Sequence, residues 1–221
     1  MPAVIRDTAT YPPIRSTSVH VAEIVTALRN EIVSGAIPPG SALGQESLAE
    51  RFGVSRMPIR EAIRHLESMG FVTIEGNKRT RVADLSLDDL IDIYEMRSAL
   101  EAVAITAAMP NLTNAQIEYA RQIQSTLTHA DPVEFGLYNQ AFHMTLYRPC
   151  NRPRLLAQID TLFNAADRYL CIAKGPAGQR DKSDAEHLEL LEICLRRDAE
   201  AARACLLRHI GDAQSVFERL P

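Results

Sequence analysis

Hydrophobic residues recur at helical spacing from about residue 18 to about residue 70, and the pattern then changes to an alternation. The helical spacing predicts helices over about residues 18–34, 45–52 and 56–69. Around "EGNK", residues 71–74 and 80–83 alternate with period two, which predicts two short strands joined by a turn. Three helices followed by a hairpin is the order of a winged helix-turn-helix, which we expect over residues 18–84.

From residue 86 onward the pattern is helical to the end of the chain. Turn-forming residues divide it into six predicted helices, at roughly 86–109, 113–129, 131–149, 152–174, 179–196 and 198–219. Short connections favour an antiparallel bundle, so the predicted fold is mostly α, with a helical domain over residues 85–221. Residues 1–17 lack the apolar core of a signal peptide and are predicted to form a flexible polar arm.

The composition of the chain restricts the expected structure and location of the protein. The 221 residues, 46% of them hydrophobic, suffice for a sizeable apolar core without disulfides. No run of about 18 apolar residues occurs, so we expect no membrane-spanning helix. The four cysteines, Cys150, Cys171, Cys194 and Cys205, form no C-x-x-C pair, which favours reduced thiols and a cytoplasmic location.

The charge is unevenly distributed along this acidic chain. The net charge is −4, but residues 51–81 hold 7 basic side chains against 3 acidic ones. Residues 86–221 carry the acidic excess, with 14 Lys+Arg and 19 Asp+Glu. A local basic surface on an acidic protein is what a DNA-reading module requires.

The basic segment centres on the predicted third helix, where Ser55 precedes Arg56, Arg60 and Arg64 at four-residue spacing. Helices that enter the major groove read bases with side chains near their N-terminus, and arginine can grip guanine through two hydrogen bonds. We therefore expect Arg56 and Arg60 to read bases and Ser55 to hold a phosphate. The alternative is an amphipathic helix whose arginines form a solvated face and pair with nearby glutamates.

Other predicted DNA contacts lie beside these residues. Arg64, one turn further along, is expected to meet the DNA backbone if it meets DNA at all. Lys78, Arg79 and Arg81 on the hairpin are expected to reach neighbouring phosphates or the minor groove.

The segment "LGQESLAERFGVSRMPIREAIRHLESMGFVTIEG" resembles the DNA-binding domain of GntR-family transcriptional regulators, whose core is SRxPxREAL-like. "DLIDIYEMRSALEAVAITAA" is similar to the start of the FCD ligand-binding domain of the FadR subfamily, and six C-terminal helices resemble its VanR branch. The resemblance implies that Ser55, Arg56, Met57, Pro58 and Arg60 occupy DNA-contacting positions. Glu46 departs from the pattern, because some members have a DNA-contacting arginine there.

A second group of polar residues lies in the predicted bundle. Asn139 and His143 are four residues apart and share a helix face, while His187 and His209 belong to two later helices. Taken singly, each histidine is more often a core residue than a ligand, and spacing alone does not show that they converge. The FCD resemblance implies that these four residues bind a divalent metal, with zinc first and nickel, manganese or iron as alternatives.

Arg97 lies beside an apolar stripe of the first bundle helix, with Glu101 four residues later. An ion pair within the helix is one interpretation. The resemblance implies another, in which Arg97 faces the cavity and binds the carboxylate of an effector. A metal with open coordination positions beside an arginine would suit a small organic acid.

Three functions remain open from the sequence. The leading hypothesis is a homodimeric regulator that binds a palindromic DNA operator. As is usual in the family that it resembles, it is expected to repress transcription until a metabolite releases it from the DNA. The second is a metalloenzyme, although no H-E-x-x-H signature is present and Glu186, beside His187, is expected to point elsewhere. The third is a helical scaffold with a purely structural metal.

Overall fold

The computed structural model of the chain describes residues 17–76, 79–171 and 179–217. The predicted arm therefore lies almost wholly outside the described residues, as does Lys78. The first part of the chain forms three helices and a hairpin, as predicted: α1 Thr17–Val33, α2 Gln45–Phe52, α3 Arg56–Ser68, β1 Val72–Glu75 and β2 Arg79–Val82. The strands are antiparallel, with Val72 opposite Val82 and Glu75 opposite Arg79.

The apolar faces of these elements form one small core. In α3 the apolar face of Ile59, Ala62, Ile63 and Leu66 is completely or almost completely buried. It packs mainly against α1, which contributes Leu28 and Ile32. Between α2 and α3, Gly53 adopts a φ of 63°, a left-handed conformation that glycine tolerates best, and this turn aims α3 outward.

The second part of the chain is the predicted bundle of six α-helices, within the described residues. Their bounds are α4 Leu87–Ala108, α5 Asn114–Leu127, α6 Pro132–Tyr147, α7 Pro153–Asp167, α8 Gln179–Leu195 and α9 Ala199–Phe217. Ser86 caps α4 by accepting a hydrogen bond from the backbone N–H of Asp89, and Thr113 forms a capping box with Gln116 at α5. These caps explain why the sequence located the helix starts.

The bundle has its own hydrophobic core, separate from that of the N-terminal helices. The 22-residue helix α4 packs against α6, α7 and α9, while α5 packs against α6 and α8. This arrangement turns one face of α6, α8 and α9 toward a shared interior. Among the helices formed by described residues, none is both long and apolar enough to cross a membrane.

Candidate functional site

The N-terminus of α3 presents the predicted DNA-reading side chains to solvent. Ser55 is the N-cap residue, with an extended backbone, and its hydroxyl makes no capping hydrogen bond. Ser55, Arg56, Met57 and Arg60 are all exposed, and the two arginines lie one helical turn apart. The uncapped end of α3 thus combines backbone N–H groups, a hydroxyl and two guanidinium groups on one surface.

Arg56 already has a partner on this surface. Its guanidinium forms an ion pair with Glu46 of α2, and both side chains are more than two-thirds exposed. Arg60 donates a hydrogen bond to the sulfur of Met57, 2.7 Å away. Exposed ion pairs contribute about 0–1 kcal/mol, so DNA phosphates and bases can replace Glu46 as the partner of Arg56.

The remaining predicted DNA contacts occupy different surroundings. Pro58 is buried in the first turn of α3, where it has no amide hydrogen to lose, so in this conformation its ring faces the core and not the DNA surface. Arg64 and Arg79 are exposed. Arg81 is half-buried and donates to the backbone carbonyl of Gly40 at 3.0 Å, so it stabilises the base of the hairpin.

In the bundle, the structure brings three of the four predicted metal ligands together. His143 of α6, His187 of α8 and His209 of α9 are 0%, 1% and 8% exposed. One ring nitrogen of each lies within 4.8 Å of the corresponding nitrogens of the other two. Phe142 stacks on the His187 ring at 4.3 Å between centroids, which holds that ring in place.

The partner of His143 determines which of its nitrogens carries the proton. The Tyr147 hydroxyl donates to Oε2 of Glu101 at 2.8 Å, because a carboxylate only accepts. The same hydroxyl oxygen, 3.1 Å from Nδ1 of His143, must therefore accept the Nδ1 proton. This leaves Nε2 of His143 unprotonated, and that buried atom has no hydrogen-bond partner among the described residues.

The other two histidines are oriented in the same way. Nδ1 of His187 lies 2.6 Å from Oε1 of Gln124, whose amide nitrogen donates to Asp184, so the Gln124 oxygen faces the histidine as an acceptor. Nδ1 of His209 lies 2.8 Å from a carboxylate oxygen of Glu186. Each Nδ1 therefore donates, and in the neutral form of each ring Nε2 keeps its lone pair.

Three nitrogen lone pairs that point into one buried space are better suited to binding a metal ion than to direct contact with one another. Nε2 of His187 and Nε2 of His209 are 3.2 Å apart, and when both rings are neutral in this tautomer neither nitrogen carries a hydrogen to share. Two nitrogens on a tetrahedral zinc, at the usual Zn–N length, would lie about 3.3 Å apart. The residues present thus fit a divalent cation held by three imidazoles.

The electrostatics favour the neutral form that metal ligands need. Burial, reinforced by His187, His209 and Arg97, lowers the pKa of His143 well below its usual 6.5. Burial and His209 lower the pKa of His187 in the same way. Burial, together with Glu101, raises the pKa of Tyr147 well above 10, so the phenol keeps the proton that it donates to Glu101.

Asn139, the fourth predicted ligand, lies on α6 one turn before His143 and is half-buried. It shares the helix face of His143, and it makes no hydrogen bond to another described residue. An oxygen ligand from Asn139 remains a prediction.

Arg97 is 5% exposed and adjoins the histidine cluster. Its Nε donates to Glu101 at 2.7 Å, so the ion pair within α4 is present. The guanidinium also lies 4.1 Å from the centre of the Phe163 ring, and that ring is 5.6 Å from the His143 ring. Arg97, Glu101, Tyr147 and His143 therefore form one continuous chain of contacts.

Sequence reasoning missed the residues that orient the histidines. Glu186 was expected to point away, but it is buried and turns across to His209 on the neighbouring helix. Tyr147 and Gln124 were not singled out. Tyr147 lies four residues after His143, a spacing that places the two side chains on one face, whereas Gln124 and Glu186 reach histidines of other helices and leave no local signal.

Comparisons with known proteins agree with this architecture. Residues 20–82 match the gntR family of bacterial regulatory proteins, and residues 92–212, more than half of the chain, match the FCD domain. The first match covers the exposed α3 surface and the second covers all three histidines. Members of this family are DNA-binding transcriptional regulators and not enzymes, which removes the metalloenzyme hypothesis.

Individual relatives extend the likeness over most of the chain. The HTH-type transcriptional regulator McbR of Escherichia coli K12 is 28% identical over 191 residues, which are 83% of this chain and 86% of McbR. The transcriptional repressor GlaR of the same organism is 29% identical over 196 residues, covering 83% of this chain and 89% of GlaR.

Solved structures show the same fold. The structure of E. coli McbR/YncC, 24% identical, superposes with a TM-score of 0.78 over 90% of this chain and 97% of that one. A GntR family member from Pseudomonas syringae, 29% identical, has a TM-score of 0.54 and covers 95% of this chain and 89% of its own. The chain belongs to the GntR family of bacterial transcriptional regulators and carries a C-terminal FCD domain.

Proposed function

We propose that this regulator is a homodimeric repressor that leaves a palindromic operator when a small organic acid binds beside a metal in the bundle. The observation that carries the ligand response is the convergence of three unprotonated histidine nitrogens in a buried space next to Arg97. A site of this kind can bind a metabolite in the cytoplasm, where the operator DNA is located, and shift the protein between DNA-binding and released states.

For DNA reading, the proposal rests on the exposed N-terminus of α3. Arg56 and Arg60 would contact bases, Ser55 and Arg64 would contact phosphates, and Arg79 with Lys78 would contact the flanking backbone. Arg56→Ala or Arg60→Ala should abolish specific binding to the promoter of the protein's own or a neighbouring operon in a gel-shift assay. Arg154→Ala, which removes an exposed arginine from the bundle, is the matched control. Unchanged operator affinity in both α3 variants would defeat the assignment.

His143, His187 and His209 would hold the metal, with Asn139 as the proposed fourth ligand. When bound, the ion would supply a Lewis-acidic centre for a carboxylate. His143→Ala and His187→Ala should lower the zinc content measured by elemental analysis, whereas His65→Ala, an exposed histidine of α3, should not. Full zinc stoichiometry in both bundle variants would refute the site.

The effector would be a small carboxylate that binds the metal and Arg97. Short mono-, di- and tricarboxylates titrated into zinc-loaded protein should include at least one that gives saturable heat by calorimetry. Arg97→Lys keeps the positive charge but loses the planar guanidinium, which can donate two parallel hydrogen bonds to a carboxylate. This variant should therefore weaken binding of the acid. A closed structural metal site, the remaining alternative, would give no saturable binding with any acid.

We propose that the second copy packs on the outer side of α4 and α9. A groove of about 730 Å³ there is lined by small residues of α4, including Ala99, Ala102 and Thr106, with Val103 45% exposed. Gly211 of α9 is exposed. A Cβ added at this position would meet no atom within 4 Å, so no steric contact within the described chain requires a glycine in this helix.

Charges at the same groove suit a two-fold contact. Glu95 lies at one part of the lining, and Arg152 and Arg203 at others. In an isologous dimer each copy can place its glutamate against an arginine of its partner. We therefore assign this face to homodimerisation, which would set the two α3 helices on successive operator half-sites.

A further inference from the structure

A buried ion pair joins the DNA-binding part of the chain to the bundle. The guanidinium of Arg29, on α1, binds the carboxylate of Asp167, the last residue of α7, across 138 positions of sequence. Arg29 is 4% exposed and Asp167 is 5% exposed. The two hydrophobic cores are distinct clusters, and α1 also packs against α6 and against the turn at Arg168–Cys171, so this ion pair is a specific polar link within a wider contact.

The pair is poorly explained as a stabilising contact. Nε and Nη1 of Arg29 are buried and have no hydrogen-bond partner among the described residues. Burial raises the pKa of Asp167 despite the opposing effect of Arg29, which shows that the carboxylate has lost much of its hydration. Buried ion pairs with unmet donors add little to stability, and their best-attested use is to specify one of two arrangements.

On the bundle side, Asp167 lies against the helix that carries the first metal ligand. A Cβ at Gly136 of α6 would be only 2.5–2.7 Å from the Asp167 carboxylate atoms, so the glycine is needed for this approach. Gly136, Asn139 and His143 are spaced three and four residues apart and share one face of α6. A shift of α6 toward or away from the metal site therefore moves the surface on which Asp167 rests.

Helix α7 provides a second connection to the same site. Phe163 precedes Asp167 by one helical turn and lies 4.1 Å from the Arg97 guanidinium. Ala165, between them, lies 3.6 Å from a Cβ added at Gly70, just after the end of α3. One turn of α7 thus lies against Arg97 at its start, against the turn after α3 at its middle and against Arg29 of α1 at its end.

On the DNA-binding side, Arg29 lies beside the segment that follows α3, the proposed recognition helix. Its guanidinium is 5.7 Å from the ring centre of Phe71, which lies three residues after the end of α3 and is fully buried. Because α1 also packs along α3, a displacement of Arg29 tilts α3 relative to the bundle.

We infer that Arg29 and Asp167 are positioning residues that transmit occupancy of the histidine site to the recognition helix. The inference rests on the proposed metal site as the origin of the signal. In this arrangement, occupancy of the site fixes the positions of α6 and Phe163. Asp167 contacts α6 and lies on the same helix as Phe163, so its position changes with theirs. The ion pair with Arg29 then displaces α1 and, with it, α3.

The test is hydrogen–deuterium exchange of the full-length protein with and without Zn²⁺ alone. In the wild type, zinc should slow exchange in α6 and also, by roughly threefold or more, in α1 and α3. The double variant Arg29→Met, Asp167→Asn removes both buried charges, so that neither is left unpaired. It should keep the zinc effect in α6 and lose it in α1 and α3.

A matched control is Arg51→Met, which breaks an exposed ion pair with Glu31 on the same helix α1. This variant should keep the zinc effect in all three helices. Zinc protection of α1 and α3 in the double variant equal to that in the wild type would overturn the inference, as would a wild type in which zinc slows α6 alone.

A metal-free comparison separates this inference from the metal proposal. Without zinc, the double variant should exchange faster than the wild type in α6 as well as in α1, and Arg51→Met should not change α6. If zinc protects no segment of the wild type, the metal proposal fails, and the metal-free comparison alone decides the role of the pair. In that case, unchanged hydrogen exchange of α6 in the metal-free double variant would overturn the positioning role of Arg29 and Asp167.

Discussion

The Tyr147 hydroxyl accepts the Nδ1 proton of His143 across 3.1 Å, and this contact aims the free Nε2 of His143 at the other two histidines. Tyr147 can accept because it gives its own proton to Glu101. The relay continues through Glu101 to Arg97, so the proposed metal ligand and the proposed effector contact share one hydrogen-bonded chain.

Tyr147→Phe should therefore weaken zinc binding without abolishing it. The ring still fills its place, but Nδ1 of His143 loses its acceptor and its tautomer is no longer fixed. Removing such an orienting partner typically costs about 10–100-fold in metal affinity. Competition with a chromophoric chelator measures the change, and Tyr119→Phe, an exposed tyrosine of α5, serves as control. Equal zinc affinity in the two variants would show that the relay does not orient His143.

Glu46→Gln should strengthen operator binding. The substitution releases Arg56 from its exposed ion pair and removes a negative charge from the proposed DNA surface. Given the usual worth of exposed pairs, we expect an increase in affinity of up to about fivefold at low salt. Glu50→Gln, one turn later on α2, is the control, and fluorescence anisotropy with a labelled operator is the measurement. Weaker binding by Glu46→Gln than by wild type would mean that Glu46 itself contacts DNA.

Val103→Arg should convert the protein to a monomer. This exposed residue lies in the groove between α4 and α9, and a buried, unpaired guanidinium at a dimer interface is strongly unfavourable. Light scattering coupled to gel filtration gives the mass directly. Tyr119→Arg places the same charge at another exposed apolar position and should remain a dimer. If Val103→Arg also remains dimeric, the interface lies elsewhere.

The metal-free protein should lose stability as the pH falls below about 6.5. Burial holds the pKa of His143 and His187 well below 6.5 in the folded state, whereas the unfolded chain takes up protons at its ordinary pKa. The unfolded state then binds more protons. The free energy of unfolding should therefore fall by up to about 1.4 kcal/mol per pH unit for each histidine.

Urea unfolding at about pH 7.5 and about pH 5.5 measures this slope. The other titratable groups near the two rings, His209 and Arg97, stay in place when His143 is replaced by glutamine. His143→Gln should therefore reduce the slope, while His65→Gln should leave it unchanged. A slope equal to that of the wild type in His143→Gln would show that His143 does not resist protonation.

Much of this fold was predictable because its signals are local. Apolar spacing, turn residues and caps such as Ser86 located the hairpin and most helix ends within a few residues, but α7 ends at Asp167, seven residues before its predicted end at 174. The exposed arginines of α3 followed from the same periodicity, since residues on the polar face of an amphipathic helix point to solvent. Pro58 is buried because its position in the first turn lies on the core side of the helix, and Arg81 is half-buried against the carbonyl of Gly40.

The site was predictable in its residues but not in its geometry. The sequence by itself determined which helices carry the histidines and that each faces inward, since this depends on neighbours three or four positions away. Only the tertiary structure decided that the three rings meet, that Glu186 turns to His209 and that Arg29 reaches Asp167. These contacts join residues far apart in sequence, and their partners are chosen by the packing of whole helices, which no local pattern encodes.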